Sequence, residues 1–226
     1  GPGALSLSNH LPGRTFPCLW LFCAKTTTSC PPPLLTPQQR PTPGFVVNRP
    51  MADQAPPDRT TVFLGISLEG KWIGNLLVAL FRETPRTSDN FLALCTHRHG
   101  FGYRDSRIHR IEPGFVIQGG DFQRGNGFGG HSIYNNNGRF ESENFLYSHD
   151  RRGIVSMVNI GPNTTGSHFA IDLDANPHFD QEFVAFGMVV GGWDVLDRLE
   201  HVPVDQEGRP LQEVRISNSG QHFAGP

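Results

Sequence analysis

The sequence predicts a mainly β fold: a closed eight-stranded antiparallel β-barrel whose open ends are capped by two α-helices. Three observations predict it. From residue 59 onward the apolar residues fall into short runs rich in β-branched and aromatic side chains, about eight in number. Only two segments carry helical spacing, and no strand–helix–strand rhythm links them, which argues against a parallel sheet. Gly (26) and Pro (19) are both abundant, as many turns between short strands require.

Each element has its own signal. Thr61–Ser67 and Trp72–Phe81 are β-rich runs separated by Leu68-Glu69-Gly70-Lys71, a hairpin sequence. Thr84-Pro85 opens a helix, with Thr as N-cap and Pro at the first helical position. Phe91, Leu92, Leu94 and Cys95 form its apolar stripe, and it ends near His99-Gly100. Short strands follow at Arg107–Glu112, Phe115–Gln118, Ile154–Asn159, His168–Leu173 and Phe183–Val189. A second helix is predicted from Trp193 to Leu199, after Gly191-Gly192, and Glu213–Ser217 supplies the last strand.

The chain of 226 residues divides near residues 50–60. Residues 1–50 hold four basic side chains, no Asp or Glu, and ten of the 19 prolines. Residues 1–58 read as a Pro-rich extension, disordered or targeting, because Pro31-Pro32-Pro33 and Pro41-Thr42-Pro43 favour extended backbone. The short apolar run Phe16–Ala24 and the lack of acidic residues also suit a signal or organelle transit peptide. Gly1-Pro2-Gly3 reads as a cloning remnant, and Met51 as an ordinary start. Residues 59–226 form the folded domain, with Cys95 as its one cysteine. A region with a single thiol has no internal disulfide and suits a reducing compartment, so the expected location is cytoplasmic or nuclear, with an organelle as the alternative.

Several functions are disfavoured. A net charge of −2 gives no general reason to expect direct nucleic-acid binding. No run approaches the ~18 apolar residues that span a bilayer. His97/His99 and His109/His168 lack ligand spacing with a carboxylate or thiol, so no metal is expected. The Gly125–Gly130 loop lacks a following Lys-Ser/Thr and a strand–loop–helix context, so no nucleotide cofactor is expected. Asn163-Thr164-Thr165 is a glycosylation sequon without meaning in a cytosolic protein.

Five segments stand out together: FGYRDSRIHRIEPGFVIQGGD (101–121), GNGFGG (125–130), SENF (142–145), GIVSMVNIGPNTTGSHFAI (153–171) and FVAFG (183–187). In this order and spacing the domain resembles a cyclophilin. The resemblance implies a peptidyl-prolyl cis-trans isomerase that needs no cofactor, binds proline-containing peptide or protein segments, and is monomeric. Arg110 occupies the position of the family's catalytic arginine. Phe115 matches the floor of the proline pocket. Gln118 is expected to orient Arg110 or to bind peptide backbone, and Asn159 to pair with the substrate through its backbone. Gly127, Val158 and Ile160 match further positions of the peptide groove.

The sequence also departs from the family pattern, and the departures cluster. Val116 replaces a Met after the pocket Phe, and Val158-Asn159-Ile160 replaces A-N-A. His168 replaces a groove Gln, and Ala170 replaces a pocket Phe. His178-Phe179-Asp180-Gln181-Glu182-Phe183 lacks the usual Trp and His. Losing a ring at 170 removes ~150–250 Å² of potential contact, which Phe179 and Phe183 are placed to refill. Ile160 and Phe128 are expected to narrow the neighbouring side-chain pocket. The implied site keeps its arginine but is reshaped, with lower isomerase efficiency and weak cyclosporin binding. The second reading is a non-catalytic proline-peptide-binding or scaffold module in a larger assembly. Glu200–Leu211 resembles the matching loop of spliceosomal cyclophilins, which hints at RNA-processing complexes.

Overall fold

The computed structural model describes residues 59–134, 138–159, 161 and 163–223. The proposed extension at 1–58 and the groove residue Ile160 lie outside them. Eight strands form one sheet: β1 Thr61–Leu68, β2 Lys71–Leu80, β3 Arg110–Glu112, β4 Val116–Gly119, β5 Ile154–Met157, β6 Phe169–Asp172, β7 Val184–Gly191 and β8 Val214–His222. Their order is β3-β4-β6-β5-β7-β2-β1-β8, and every paired ladder is antiparallel.

The sheet curls back on itself. Of residues 107–109, expected to be part of β3, His109 still donates to the Gln118 carbonyl of β4 at 3.1 Å, but the segment around 105–108 pairs with β8. Asp105 and Ile108 amides donate to the carbonyls of Ile216 (2.7 Å) and Val214 (3.0 Å), and Ile216 donates to Ser106 (2.9 Å). β8 also runs five residues past the Ser217 expected from apolar pattern alone. Its polar half pairs with the start of β1, Thr61 lying opposite His222.

Alternation along the strands decides what is inside. Ile111, Ile117, Ile171 and Val155 are cross-strand partners on one face, and all four are fully or almost fully buried in the main core. They meet Val62, Leu64 and Ile66 of β1 and Phe186 of β7 there. Helix α1, Pro85–Thr96, lays Phe91, Leu94 and Cys95 on this core. The Phe91 ring lies 4.8–5.5 Å from those of Tyr103, Phe169 and Phe186. Burial raises the Cys95 thiol pKa well above its usual value, so this thiol stays protonated.

The N-terminus of α1 is held differently from the expectation. The Thr84 side chain makes no capping bond; its hydroxyl lies 3.4 Å from the Phe81 carbonyl. Instead the Glu143 carboxylate, from the expected SENF segment, accepts the amides of Arg86 (2.9 Å) and Thr87 (2.8 Å). A distant anion thus satisfies the amides that a local cap would serve. Helix α2, Trp193–Glu200, packs Val195 so close to β2 that a Cβ at Gly74 would lie 2.4 Å from its Cγ2. No helix among the described residues is long and apolar enough to cross a membrane.

Candidate active site

The register that sends the isoleucines inward sends another row outward. On β3, β4 and β6 the residues Arg110, Gln118 and Ala170 lie opposite one another in sequence, and Glu112, Val116 and Asp172 form the next row. Direct cross-strand neighbours have Cβ atoms ~4.5–5.5 Å apart. The predicted arginine, glutamine and alanine are therefore adjacent on one outer face of the barrel. A one-residue slip would turn all three to the opposite face of the sheet.

Beside this row is a separate apolar cluster. Val116, Ala170, Phe179 and Phe183 are buried together, with Phe115 and Val158 packed against them. Phe179 and Phe183 come from a short 3-10 turn, Pro177–Phe179, and the chain just after it. Their ring centroids are 4.8 Å apart, and Phe115 lies 5.4 Å from Phe179. They are only 6% and 7% exposed, so the space left by alanine at 170 is filled, as the sequence suggested. His178 is exposed and stacks on Phe115 at 5.4 Å and 15°. Asn159 reaches across with its side chain, donating to the Glu182 carbonyl at 2.9 Å. That bond ties the segment bearing Phe183 to the end of β5.

The hairpin between β3 and β4 sets the position of Phe115. Gly114 adopts φ 69°, and its amide donates to Glu200 of α2 at 2.9 Å. Arg152 holds the same glutamate at 2.6 Å. Asn176 donates to both the Phe115 carbonyl (3.0 Å) and the Asp172 carboxylate (3.1 Å). Asp172 is fully buried, and its second oxygen has no partner among the described residues. Burial, reinforced by the charge of Asp180 and opposed by the Asn176 bond, pushes its pKa up to about 7. His149, also buried, gives Nδ1 to Asp180 at 3.0 Å and presses edge-on against Phe179. Burial lowers its pKa despite that carboxylate.

On the other side stands the glycine-rich loop. The Asp121 carboxylate accepts amides from Gln123, Arg124, Asn126, Gly127 and Gly129 at 2.8–3.2 Å. Burial alone would raise its pKa, but the amides of Arg124, Gly129 and Asn126 outweigh it and hold the carboxyl far below its usual value. Gly127, at φ 87°, faces the His109 ring, 3.1 Å from where its Cβ would stand. His168 donates from Nε2 to the Gly129 carbonyl at 2.7 Å and lies 5.6 Å from the His109 ring. Burial, then the neighbouring His168, pushes His109 down to about 4. The imidazole pair is neutral at pH 7.

Two expectations need correction. Phe128 does not narrow a pocket beside the row: it is 74% exposed and lines an open groove of about 580 Å³ with Arg107, His109, Arg209 and Leu211. Within this loop the amides of Asn126, Gly127 and Gly129 turn inward to Asp121, while Phe128's own amide donates to Asn126 Oδ1 at 3.1 Å and its ring is left outside. Nor is Gln118 the group that holds Arg110. The two face each other in the ladder, but no side-chain bond joins them among the described residues. Arg110 instead pairs with Glu112, and its Nε is buried without a partner. The signal for Glu112 was present, since residues i and i+2 of a strand share a face. Asp172 and Asn176 left no comparable sequence signal.

The arrangement places a paired cation, a largely buried amide and an apolar aromatic cluster side by side. The family model described as cyclophilin type peptidyl-prolyl cis-trans isomerase/CLD matches residues 63–221. Among curated proteins the chain is similar to the peptidyl-prolyl cis-trans isomerase cyp11 of Rhizopus delemar. The two are 44% identical over 169 residues, 71% of this chain and 49% of that protein. The chain thus spans about half the length of the curated relative it matches.

Proposed function

The chain belongs to the cyclophilin-type peptidyl-prolyl cis-trans isomerase family, and from that premise we propose that its domain isomerises X–Pro bonds in peptides and folding clients. Rotating the amide loses its resonance against a barrier of ~18–20 kcal/mol. No covalent bond changes, so neither nucleophile nor metal is required. An apolar patch holds the proline ring, and a donor stabilises the twisted amide, whose nitrogen gains a free lone pair. Arg110 supplies that donor, since a guanidinium stays charged and offers several N–H groups. Phe115, Val116, Ala170, Phe179 and Phe183 supply the patch. Gln118 and the backbone of Asn159 hold the peptide, with Val158, Ile160, His168 and Gly127 lining the groove.

The single observation that carries this reading is the row Arg110–Gln118–Ala170 standing beside the aromatic cluster. A proline-peptide isomerisation assay tests it. The chain should speed the approach to equilibrium above the buffer rate, and Arg110→Ala should remove most of the gain. Turnover at the buffer rate, or unchanged turnover in the variant, rejects it.

The near-complete burial of Phe179 and Phe183 against Ala170 favours a second reading, a non-catalytic module that binds a proline-containing segment or scaffolds an assembly. Tight binding to a partner surface remote from Arg110, without isomerase activity, supports it. Competition by proline peptides at the groove alone counts against it.

A further inference from the structure

Arg110 is held by residues to which the family resemblance assigns no role. Arg110 and Glu112 are the first and last residues of β3, and their side chains leave the same face. Glu112 accepts from Nη2 of Arg110 in an ion pair, the two side chains being 35% and 16% exposed. Beneath them the chain from Asp205 to Arg209 turns back tightly. The Asp205 carboxylate accepts the amides of Glu207 (3.0 Å) and Arg209 (2.8 Å), and Ile111 donates to the Gly208 carbonyl at 2.8 Å. Gly208 has φ 77°, and a Cβ there would lie 3.4 Å from Cγ of Arg110 and 3.5 Å from Cγ of Glu112. The two stems rest on this glycine.

We propose that Glu112, seated with Arg110 on the Gly208 turn, is the positioning residue for the Arg110 guanidinium. The inference deepens the isomerase reading and rests on it. A free arginine samples many rotamers, and freezing it when substrate arrives opposes reaction. Glu112 does that ordering in the unliganded protein. The carboxylate engages one terminal nitrogen of a group with five N–H donors, which leaves others for the amide. A donor aimed in advance acts without reorganisation. Gln118, relieved of that task, keeps its side chain for peptide backbone.

The test measures kcat and KM separately on a proline peptide, using the full chain. Glu112→Ala should lower kcat roughly tenfold, because misplacing a catalytic group by about an ångström carries penalties up to ~10²-fold. KM should stay within about twofold, which separates aim from binding. Glu112→Gln keeps an acceptor oxygen and should restore most of the rate. Gly208→Ala, strained at its φ and tight against the Ile111 carbonyl at 3.1 Å, should shift the turn on which both stems rest and lower kcat in a similar way. In an Arg110→Ala background, Glu112→Ala should cause no further loss.

A second readout is independent of turnover: the Arg110 Nε–Hε resonance in a 15N–1H spectrum. It should be sharp and slowly exchanging in the wild type and in Glu112→Gln, and averaged in Glu112→Ala. Wild-type or higher kcat in Glu112→Ala, or an equal loss without Arg110, overturns the proposal. If Arg110→Ala itself turns over normally, the isomerase reading fails instead. The spectrum then decides alone, and an unchanged Arg110 signal in Glu112→Ala overturns the positioning role.

Discussion

Replacing Asp172 by Asn should stabilise the domain increasingly as pH rises from about 4 to 7, and by a constant amount above that. Asp172 sits fully buried on β6 behind the aromatic cluster, with one oxygen bonded to Asn176 and the other unpartnered. Its pKa rises from near 3.9 in an unfolded chain to about 7 in the fold. The folded state therefore holds a proton that the unfolded state releases above pH ~4. Stability is fully present below that pH and is lost as pH climbs through 7. A shift of about three units corresponds to about 4 kcal/mol by linkage; relaxation around a buried charge lowers this to about 2 kcal/mol as a working figure. An asparagine keeps an acceptor for Asn176 and never ionises. Urea unfolding followed by tryptophan fluorescence at pH 4.5 and pH 8 measures the difference. The variant should exceed the wild type by no more than about 1 kcal/mol at pH 4.5 and by about 2–4 kcal/mol at pH 8. The lowered pKa values of His109, His149 and His168 are common to both proteins and cancel in the comparison. A difference of equal size at both pH values, or a variant weaker at pH 8, refutes the reasoning.

Two other perturbations probe the walls of the site. Asp121→Asn puts donors where Asp121 now accepts five amides, and should cost on the order of 3 kcal/mol. Because the folded pKa is depressed, the wild type's advantage is present above pH ~4 and fades as pH falls below it; a pH-independent difference in urea midpoint contradicts the account. Cyclosporin should bind no tighter than roughly micromolar, since His178 lies flat on Phe115 where the family has Trp. Submicromolar affinity by calorimetry shows the pocket reading to be wrong.

What could be read in the chain depended on whether the interaction was local. Strand and helix positions followed from side-chain period, and Arg110 and Gln118 fall opposite each other because an antiparallel hairpin around Pro113-Gly114 leaves little other choice. That Phe179 and Phe183 carry enough bulk to replace a ring at 170 was legible from volume, whereas the inward direction of Phe183 was not. The bonds that hold the site were not. Glu143 reaches α1 from 56 residues away, and nothing in its own neighbourhood marks it as a cap. Phe128 points outward because the loop's amides bond inward to Asp121, Asn126 and Gln123, a loop conformation that composition does not encode. Glu112 was legible by strand period but was overlooked beside a motif that offered Gln118 for the same task.

The closure of the sheet through β8 also constrains how the protein is made. The first strand pairs with the last: the Ser217 hydroxyl reaches the Gly65 carbonyl across 152 residues. A chain emerging from the ribosome thus presents β1 and β2 as a hairpin with an unpaired β1 edge until β8 has been made. Contacts this distant in sequence form slowly, and an open strand edge invites pairing with other chains in the interval. A premature stop before Val214 would leave that edge open permanently.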